Sequence, residues 1–174
     1  HGLLRRQRQM CIRDSSYHTC ALSSTNKVFC WGSGSFGQLG NAGFANLDVP
    51  VEVNLSGIGA PVTNVDLGGY HTCLQTNDNR VFCLGYSGNM NIGDGTTFGV
   101  GEIKMDNVAG GQFAQIDLGS TLGCGLTPDG MPYCWGYNFY GGVGDGTTEN
   151  RFEPTPVDLS GISGSKTVIN ISAG

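Results

Sequence analysis

The chain has 174 residues, of which 30 are glycine and only 13% are charged, and its net charge is −5. Four of its nine bases lie before residue 14, so the remainder carries five bases against fourteen acids, or −9. This acidic body argues against nucleic-acid binding, which depends on a positive patch. No apolar run approaches the length of a membrane span.

Residues 1–15 differ in composition from everything that follows. The run from Arg5 to Ser15 is basic and resembles translated adapter sequence at the end of an assembled read. It lacks the apolar core of a signal peptide. We therefore exclude residues 1–15 from the predicted fold and interpret them as an artefact; the alternative is a basic arm for nucleic acid or membrane.

From residue 16 onward, one stretch recurs three times. Two cysteines stand ten residues apart, at 20–30, 73–83 and 124–134, and Trp-Gly or Leu-Gly follows the second cysteine. The copies begin 53 and then 51 residues apart. Such a near-constant period indicates a repeat architecture.

Each copy is predicted to be a β-hairpin. In the third copy Pro128 presets φ for the first loop position, and Gly130 tolerates the left-handed conformation that ends a three-residue loop. The same loop length in every copy puts each cysteine opposite its partner. The left-handed position then falls on residue types that accept it, namely Asn26, Asn79 and Gly130.

The opposed cysteines predict three disulfides. Directly paired strand residues have Cα atoms about 4.5–5.5 Å apart, within reach of a disulfide. The predicted bonds are Cys20–Cys30, Cys73–Cys83 and Cys124–Cys134, which leaves Cys11 over. Reduced, buried cysteines are the alternative. A zinc site is less favoured, because structural zinc ligands usually come in pairs two to four residues apart.

Disulfides imply an oxidising compartment, and hence a secreted or cell-surface protein. Two glycosylation acceptor patterns, at Asn54 and Asn170, agree with this location.

A glycine-studded loop follows each hairpin and carries aromatic residues. They are Phe36, Tyr86, Tyr137, Phe139 and Tyr140. Tyrosine and phenylalanine are frequent interface anchors. The residues predicted to contact a partner protein are Tyr86, Tyr137, Asn138 and Phe139. For Phe36 and Tyr140, packing between repeats is expected at least as much as contact with a partner.

Two histidine–cysteine pairs, His18 with Cys20 and His71 with Cys73, could suggest a thiol nucleophile and its base. The spacing is a feature of the repeat, however, and the third copy has Leu122 in place of the histidine. Histidines that bond within each repeat are therefore the preferred interpretation.

Asp94 and Asp145 lie in Asp-Gly-Thr-Thr sequences. They are predicted to cap tight turns rather than to act as catalytic carboxylates or calcium ligands. The sequence thus predicts no catalytic residue, no metal and no cofactor.

An extended segment and then a short strand follow each loop; the segment contains proline in the first and third repeats but not in the second, and the last short strand is predicted at 171–174. His-Thr-Cys, Trp-Gly, Gly-Asp-Gly-Thr and Pro-Val recur in this order and resemble the repeats of the regulator of chromosome condensation family. The resemblance covers residues 16–174. The paired cysteines resemble the secreted and cell-surface branch of that family.

The resemblance implies an all-β fold, a seven-bladed β-propeller in which each blade is a four-stranded antiparallel sheet. Three blades cannot close a ring, so residues 16–174 are expected to be a propeller fragment truncated at both ends. A kelch-type propeller is the alternative fold, but it does not explain the cysteine hairpins.

The predicted function is a non-enzymatic protein-binding module of a secreted or surface protein, with an unknown protein partner and the remaining blades of the same propeller as neighbours. The alternative is guanine-nucleotide exchange on a small GTPase, which the resemblance to the nuclear member implies. The paired cysteines argue against the nuclear or cytosolic location that exchange requires.

Overall fold

The computed structural model describes residues 11–41, 43–86, 98–102, 108–164 and 167–174. Within these ranges twelve strands form three sheets of four strands each. The first sheet contains β1 Cys11–Asp14, β2 His18–Leu22, β3 Val28–Gly32 and β4 Leu47–Glu52. The second contains β5 Val62–Leu67, β6 His71–Thr76, β7 Val81–Tyr86 and β8 Phe98–Glu102. The third contains β9 Gln115–Leu118, β10 Leu122–Leu126, β11 Pro132–Gly136 and β12 Arg151–Pro156, and a short 3-10 helix, Ala109–Gly111, precedes it.

Every sheet is an antiparallel meander whose strands lie in chain order. The first strands of the three sheets, β1, β5 and β9, contact one another in sequence, so the sheets are arranged as successive blades around a common axis. The predicted all-β propeller fragment is confirmed. We call the sheets blades 1, 2 and 3.

The hairpin register is the predicted one. Cys20 pairs with Cys30, Cys73 with Cys83 and Cys124 with Cys134. The loop residues expected to be left-handed have φ of 62° at Asn26, 64° at Asn79 and 84° at Gly130. Local turn chemistry therefore sets the pairing in all three blades.

Each cysteine pair lies at disulfide distance, with Sγ–Sγ separations of 2.04, 1.90 and 2.16 Å in chain order. The Cα atoms are 4.1–4.2 Å apart, the close spacing of a non-hydrogen-bonded strand pair. All six cysteines are buried, and each pair belongs to the apolar cluster on the side of its blade that faces onward along the chain.

The boundary predicted after residue 15 needs a correction, because Cys11–Asp14 is the first strand of blade 1. Its backbone pairs with β2, and such pairing does not depend on side-chain identity. The side chains fit poorly: Ile12 is 62% exposed, whereas its counterparts Val65 and Ile116 are buried. The adapter interpretation of residues 1–15 stays a prediction, and residues 1–10 lie outside the described ranges.

The predicted strand at 171–174 is also absent. Residues 167–174 instead run beside blade 3 without regular secondary structure, and Gln115 Nε2 donates to the Ile171 carbonyl at 2.9 Å. The backbone N–H of Ala173 donates to an Asp117 carboxylate oxygen at 2.6 Å. Side chains of β9 hold this segment, and no neighbouring described strand pairs with it.

Candidate protein-binding surface

One end of the blades, which we call the upper face, is built from two kinds of segment. Turns precede the second strand of each blade at 15–17, 68–70 and 119–121, and loops follow the third strand at 33–46 and 137–150. Backbone bonds of 2.8–3.0 Å tie loop to turn, from Ser33 N to Tyr17 O, Tyr86 N to Tyr70 O and Tyr137 N to Thr121 O. The side chains of these segments therefore share one surface.

Four aromatic rings from blades 1 and 2 form a cluster on this face, patch A: Tyr17, Phe36, Tyr70 and Tyr86. The Tyr17 ring stacks on Tyr70 with centroids 5.1 Å apart. Phe36 meets Tyr70 edge-on at 5.2 Å and Tyr86 at 4.9 Å. A side-chain hydrogen bond with Tyr17 raises the pKa of Tyr70. Tyr17 is still 52% exposed, so the cluster presents ring surface to solvent.

Three rings of blade 3 form a second cluster, patch B: Tyr137, Phe139 and Tyr140. Phe139 and Tyr140 are perpendicular with centroids 5.1 Å apart, and both lie within 6.4 Å of Tyr137. Phe139 is 63% exposed and Tyr140 is 87% exposed. Patch B is thus the more exposed of the two clusters.

A buried amide shapes the loop beneath patch B. Asn138 is fully buried and donates from Nδ2 to the carbonyls of Thr147 at 3.1 Å and Glu149 at 3.0 Å. Its Oδ1 accepts the backbone N–H of Val143 at 2.8 Å. The expectation that Asn138 contacts a partner is wrong, because its side chain satisfies backbone groups inside the loop.

Asp145 caps a turn in the same loop, as predicted. Its Oδ1 accepts the backbone N–H and the hydroxyl of Thr147 at 3.0 and 2.8 Å, and Oδ2 accepts Nε of Arg151 at 2.5 Å. Burial works to raise the pKa of Asp145, but these bonds outweigh it and leave the pKa lowered. The loop is therefore tied together by a charged turn; Asp94, its counterpart in blade 2, lies outside the described residues.

The structure places Tyr86 in patch A and Tyr137 and Phe139 in patch B. Sequence reasoning missed Tyr17 and Tyr70, although both begin the repeated Tyr-His-Thr-Cys stretch and so precede a strand at the same turn. Their partial exposure, and their stacking across blades, could not be read from the motif alone.

The two remaining loop aromatics behave differently from each other. Phe36 packs against Tyr70 and Tyr86 of blade 2, which confirms packing between repeats. Tyr140 occupies the equivalent position in blade 3 and is 87% exposed, and for it packing between repeats stays a prediction. No described blade lies beyond blade 3 to cover it.

The histidine–cysteine pairs do not form a nucleophile site, because Cys20 and Cys73 lie in the paired-cysteine hairpins. His18 bonds within its blade to Ser15 Oγ at 2.9 Å, as expected, and also across to Thr72 Oγ1 of blade 2 at 2.7 Å. His71 is fully buried, and neither ring nitrogen has a hydrogen-bond partner among the described residues, so for His71 the expectation was wrong.

Burial lowers the pKa of both histidines. The pKa of His18 falls to about 4, and that of His71 falls to about 3 with a further contribution from His18. Both rings are therefore neutral near pH 7 and act as structural groups between blades.

Both glycosylation candidates are exposed. Asn54 Oδ1 accepts the backbone N–H of Ser56 at 3.1 Å, and Asn170 Oδ1 accepts Nε2 of Gln115 at 2.8 Å. Their modification stays a prediction. In the described parts of the chain, no three acidic, histidine or cysteine side chains come together as metal ligands, and no helix has the length and apolarity to cross a membrane.

The chain is similar in sequence to known repeat proteins. Two family models, both described as "Regulator of chromosome condensation (RCC1) repeat", match residues 15–38 and 129–174. The human E3 ubiquitin-protein ligase HERC2 is 29% identical over 160 residues, covering 91% of this chain and 3% of that protein. The mitochondrial RCC1 domain-containing protein RUG3 of Arabidopsis thaliana is 28% identical over 156 residues, covering 84% and 34%. This chain spans about a third or less of these relatives.

Solved structures share the fold. Prp20p from Saccharomyces cerevisiae superposes with a TM-score of 0.75 at 20% identity, covering 87% of this chain and 39% of that one. Human WBSCR16 gives a TM-score of 0.77 at 19% identity, covering 95% and 42%.

Proposed function

The chain belongs to the regulator of chromosome condensation repeat family, and on that premise we propose that it is a non-enzymatic module that binds a protein partner through its upper face. Patches A and B carry the proposal. Eight aromatic rings lie at this one end: Phe44 and the seven rings of patches A and B, which include five of the six tyrosines in the chain. Such rings contribute large contact area at low entropic cost, which is why they anchor interfaces.

The buried polar groups under patch B support this role. Asn138 and the Asp145–Arg151 pair hold the loop from inside, so Phe139 and Tyr140 are displayed from a supported backbone. A surface that is ordered before binding loses less conformational entropy on association. Phe139 and Tyr140 make ring contacts with each other and with Tyr137, whereas Phe36 packs against rings of the next blade.

We also propose that the protein works in an oxidising compartment, as a secreted or cell-surface protein. The three cysteine pairs at disulfide distance are compatible with that location. Guanine-nucleotide exchange remains the alternative that the family suggests. The similarity to Prp20p, at 20% identity, concerns the fold alone.

The test is the double substitution Tyr137→Ala plus Phe139→Ala, compared with Phe152→Ala. Phe152 is an aromatic residue of β12 that is 40% exposed but lies outside both patches. Partners of the wild-type protein are first captured by cross-linking, and the affinity of each purified partner is then measured for all three proteins.

We expect the double variant to lose at least about tenfold in affinity, because interface aromatics are often worth more than 1 kcal/mol each. The Phe152→Ala variant should bind like the wild type, and circular dichroism should show all three folded. Equal affinity of the double variant and the wild type would remove patch B from the proposal.

A further inference from the structure

The charge of the upper face narrows the choice of partner. The turns and loops of this face that the structure describes contain only two charged residues, Asp145 and Glu149, and both are acidic. Extending each segment by one residue adds Asp14 and Arg151, which gives three carboxylates against one guanidinium, or −2. The described upper face therefore combines exposed aromatic rings with net negative charge.

The only base in this set is already occupied. Arg151 binds Asp145 at 2.5 Å and reaches Glu149 at 3.5 Å. The Glu149 side chain is nevertheless 80% exposed, so most of its carboxylate surface faces solvent. No described lysine lies in these turns and loops to attract an acidic partner.

The opposite end of the blades is different. Its hairpin loops and connections carry bases as well as acids, including Lys27 and Arg80, which pair with Glu52 at 2.8 Å and Asp78 at 2.9 Å. Charges of both signs cancel locally there. Among the described residues, the absence of bases from the turns and loops is thus a property of the upper face rather than of the whole acidic chain.

Exposed aromatic rings beside carboxylates form a favourable binding site for an arginine side chain. A guanidinium can stack on the face of tyrosine or phenylalanine and pair with a carboxylate at the same time. In patch B the rings of Phe139 and Tyr140 are perpendicular, so one ring presents its face where the other presents its edge. An acidic partner segment would meet repulsion at this site.

We propose that the partner segment held by the upper face is cationic and bears arginine, with guanidinium groups stacked on patch B and paired with Glu149. This inference rests on the proposed function and specifies the chemistry of the partner. It concerns a protein segment, since the charge of the face excludes attraction to nucleic acid.

The probes are three twelve-residue peptides that alternate Gly-Ser with arginine, citrulline or glutamate, each labelled for fluorescence anisotropy. Citrulline keeps the shape of arginine and removes its charge. We expect the arginine peptide to bind, the other two to bind at least tenfold more weakly, and the affinity to fall as salt rises.

Variants of the full chain locate the binding. Glu149→Gln should weaken the arginine peptide about two- to fivefold, the worth of one exposed charge, and Tyr140→Ala should weaken it further. Glu52→Gln on the opposite end is the matched control and should have no effect. Binding that survives both upper-face substitutions would mean diffuse attraction to an acidic protein and would overturn the inference.

The failure of this inference differs from the failure of the proposed function. If a captured partner loses affinity for the Tyr137→Ala plus Phe139→Ala protein, but its binding is indifferent to salt and to Glu149→Gln, the face binds proteins and the cationic partner is wrong. If the double substitution changes nothing, the proposed function itself falls.

Discussion

The two interfaces between blades share one backbone plan and differ in chemistry. In both, the blade that comes first in the chain contributes a cysteine hairpin of the same register. Between blades 1 and 2 a polar chain crosses the interface: His18 bonds Thr72 Oγ1 at 2.7 Å, and that hydroxyl donates to the Gln38 carbonyl at 2.8 Å. Leu39, Leu74 and other aliphatic side chains fill the remaining space.

The interface between blades 2 and 3 is instead packed with aromatic rings. Trp135 is fully buried and stacks on Phe113 with centroids 5.8 Å apart. The position of Thr72 is held by Gly123, where a Cβ would lie 2.5 Å from the Trp135 ring, so the indole occupies the space of the missing side chain. His71 consequently finds no hydroxyl.

This difference shows that the repeated sequence determines the backbone of each blade but not the side-chain contacts between blades. The first interface uses directional bonds, which fix the relative position of two blades. The second uses buried ring area and has a glycine, Gly123, opposite Trp135 on the paired strand of blade 3. Four predictions follow from this contrast.

The largest effect is expected for Trp135→Ala, which should lower the free energy of unfolding by about 3–5 kcal/mol through lost burial and a cavity. Leu84 holds the same position at the interface between blades 1 and 2, and Leu84→Ala should cost less, because leucine buries less apolar surface than tryptophan. Urea unfolding followed by far-UV circular dichroism measures both. Equal costs would contradict the contrast between the interfaces.

Acidification tests the histidines of both interfaces together. Folding lowers their pKa values from about 6.5 to about 4 for His18 and about 3 for His71. Well above pH 6.5 both histidines are neutral in the folded and in the unfolded chain, so their titration does not change the free energy of unfolding. As the pH falls below 6.5 the unfolded chain takes up protons that the folded chain refuses, so stability declines until the folded pKa values are reached.

At pH 5 the loss should be about 2 kcal/mol for each histidine. Urea unfolding between pH 7 and 5 measures it, in a range where Asp145, whose folded pKa is lowered, remains ionised. A protein with both His18→Leu and His71→Leu is the control and should lose the slope. A slope unchanged in that variant would assign it to other groups.

The cysteine pairs should show that the hairpins themselves do not differ. Replacing Cys20 and Cys30 by alanine, or Cys73 and Cys83, should each cost about 2–3 kcal/mol, because the closed loops are equally short. Intact mass before and after reduction, with peptide mapping, should first find three bonds that each link cysteines ten residues apart. Six free thiols would instead bring the nuclear or cytosolic exchange function forward.

The sequence predicted what depends on local turns and repetition. Asn26, Asn79 and Gly130 determine three equal loops, and the cysteine register follows from them. It failed where the outcome depends on contacts between distant segments. The burial of Asn138 requires the far side of its loop, and the strand at Cys11–Asp14 requires only a free edge of β2, which no side-chain pattern reports.

The smallest effect separates the two histidines. His18→Leu should cost about 1–2 kcal/mol, since Ser15 and Thr72 each lose a hydrogen-bond partner. His71→Leu should leave the free energy of unfolding unchanged or raise it, because a buried ring without hydrogen bonds carries a desolvation cost that an apolar side chain does not. In blade 3, Leu122 holds the position of His71 and packs against the apolar cluster that contains Cys124. Equal costs in urea unfolding at pH 7.5 would mean that His71 has a partner at the interface, and that both interfaces depend on polar contacts.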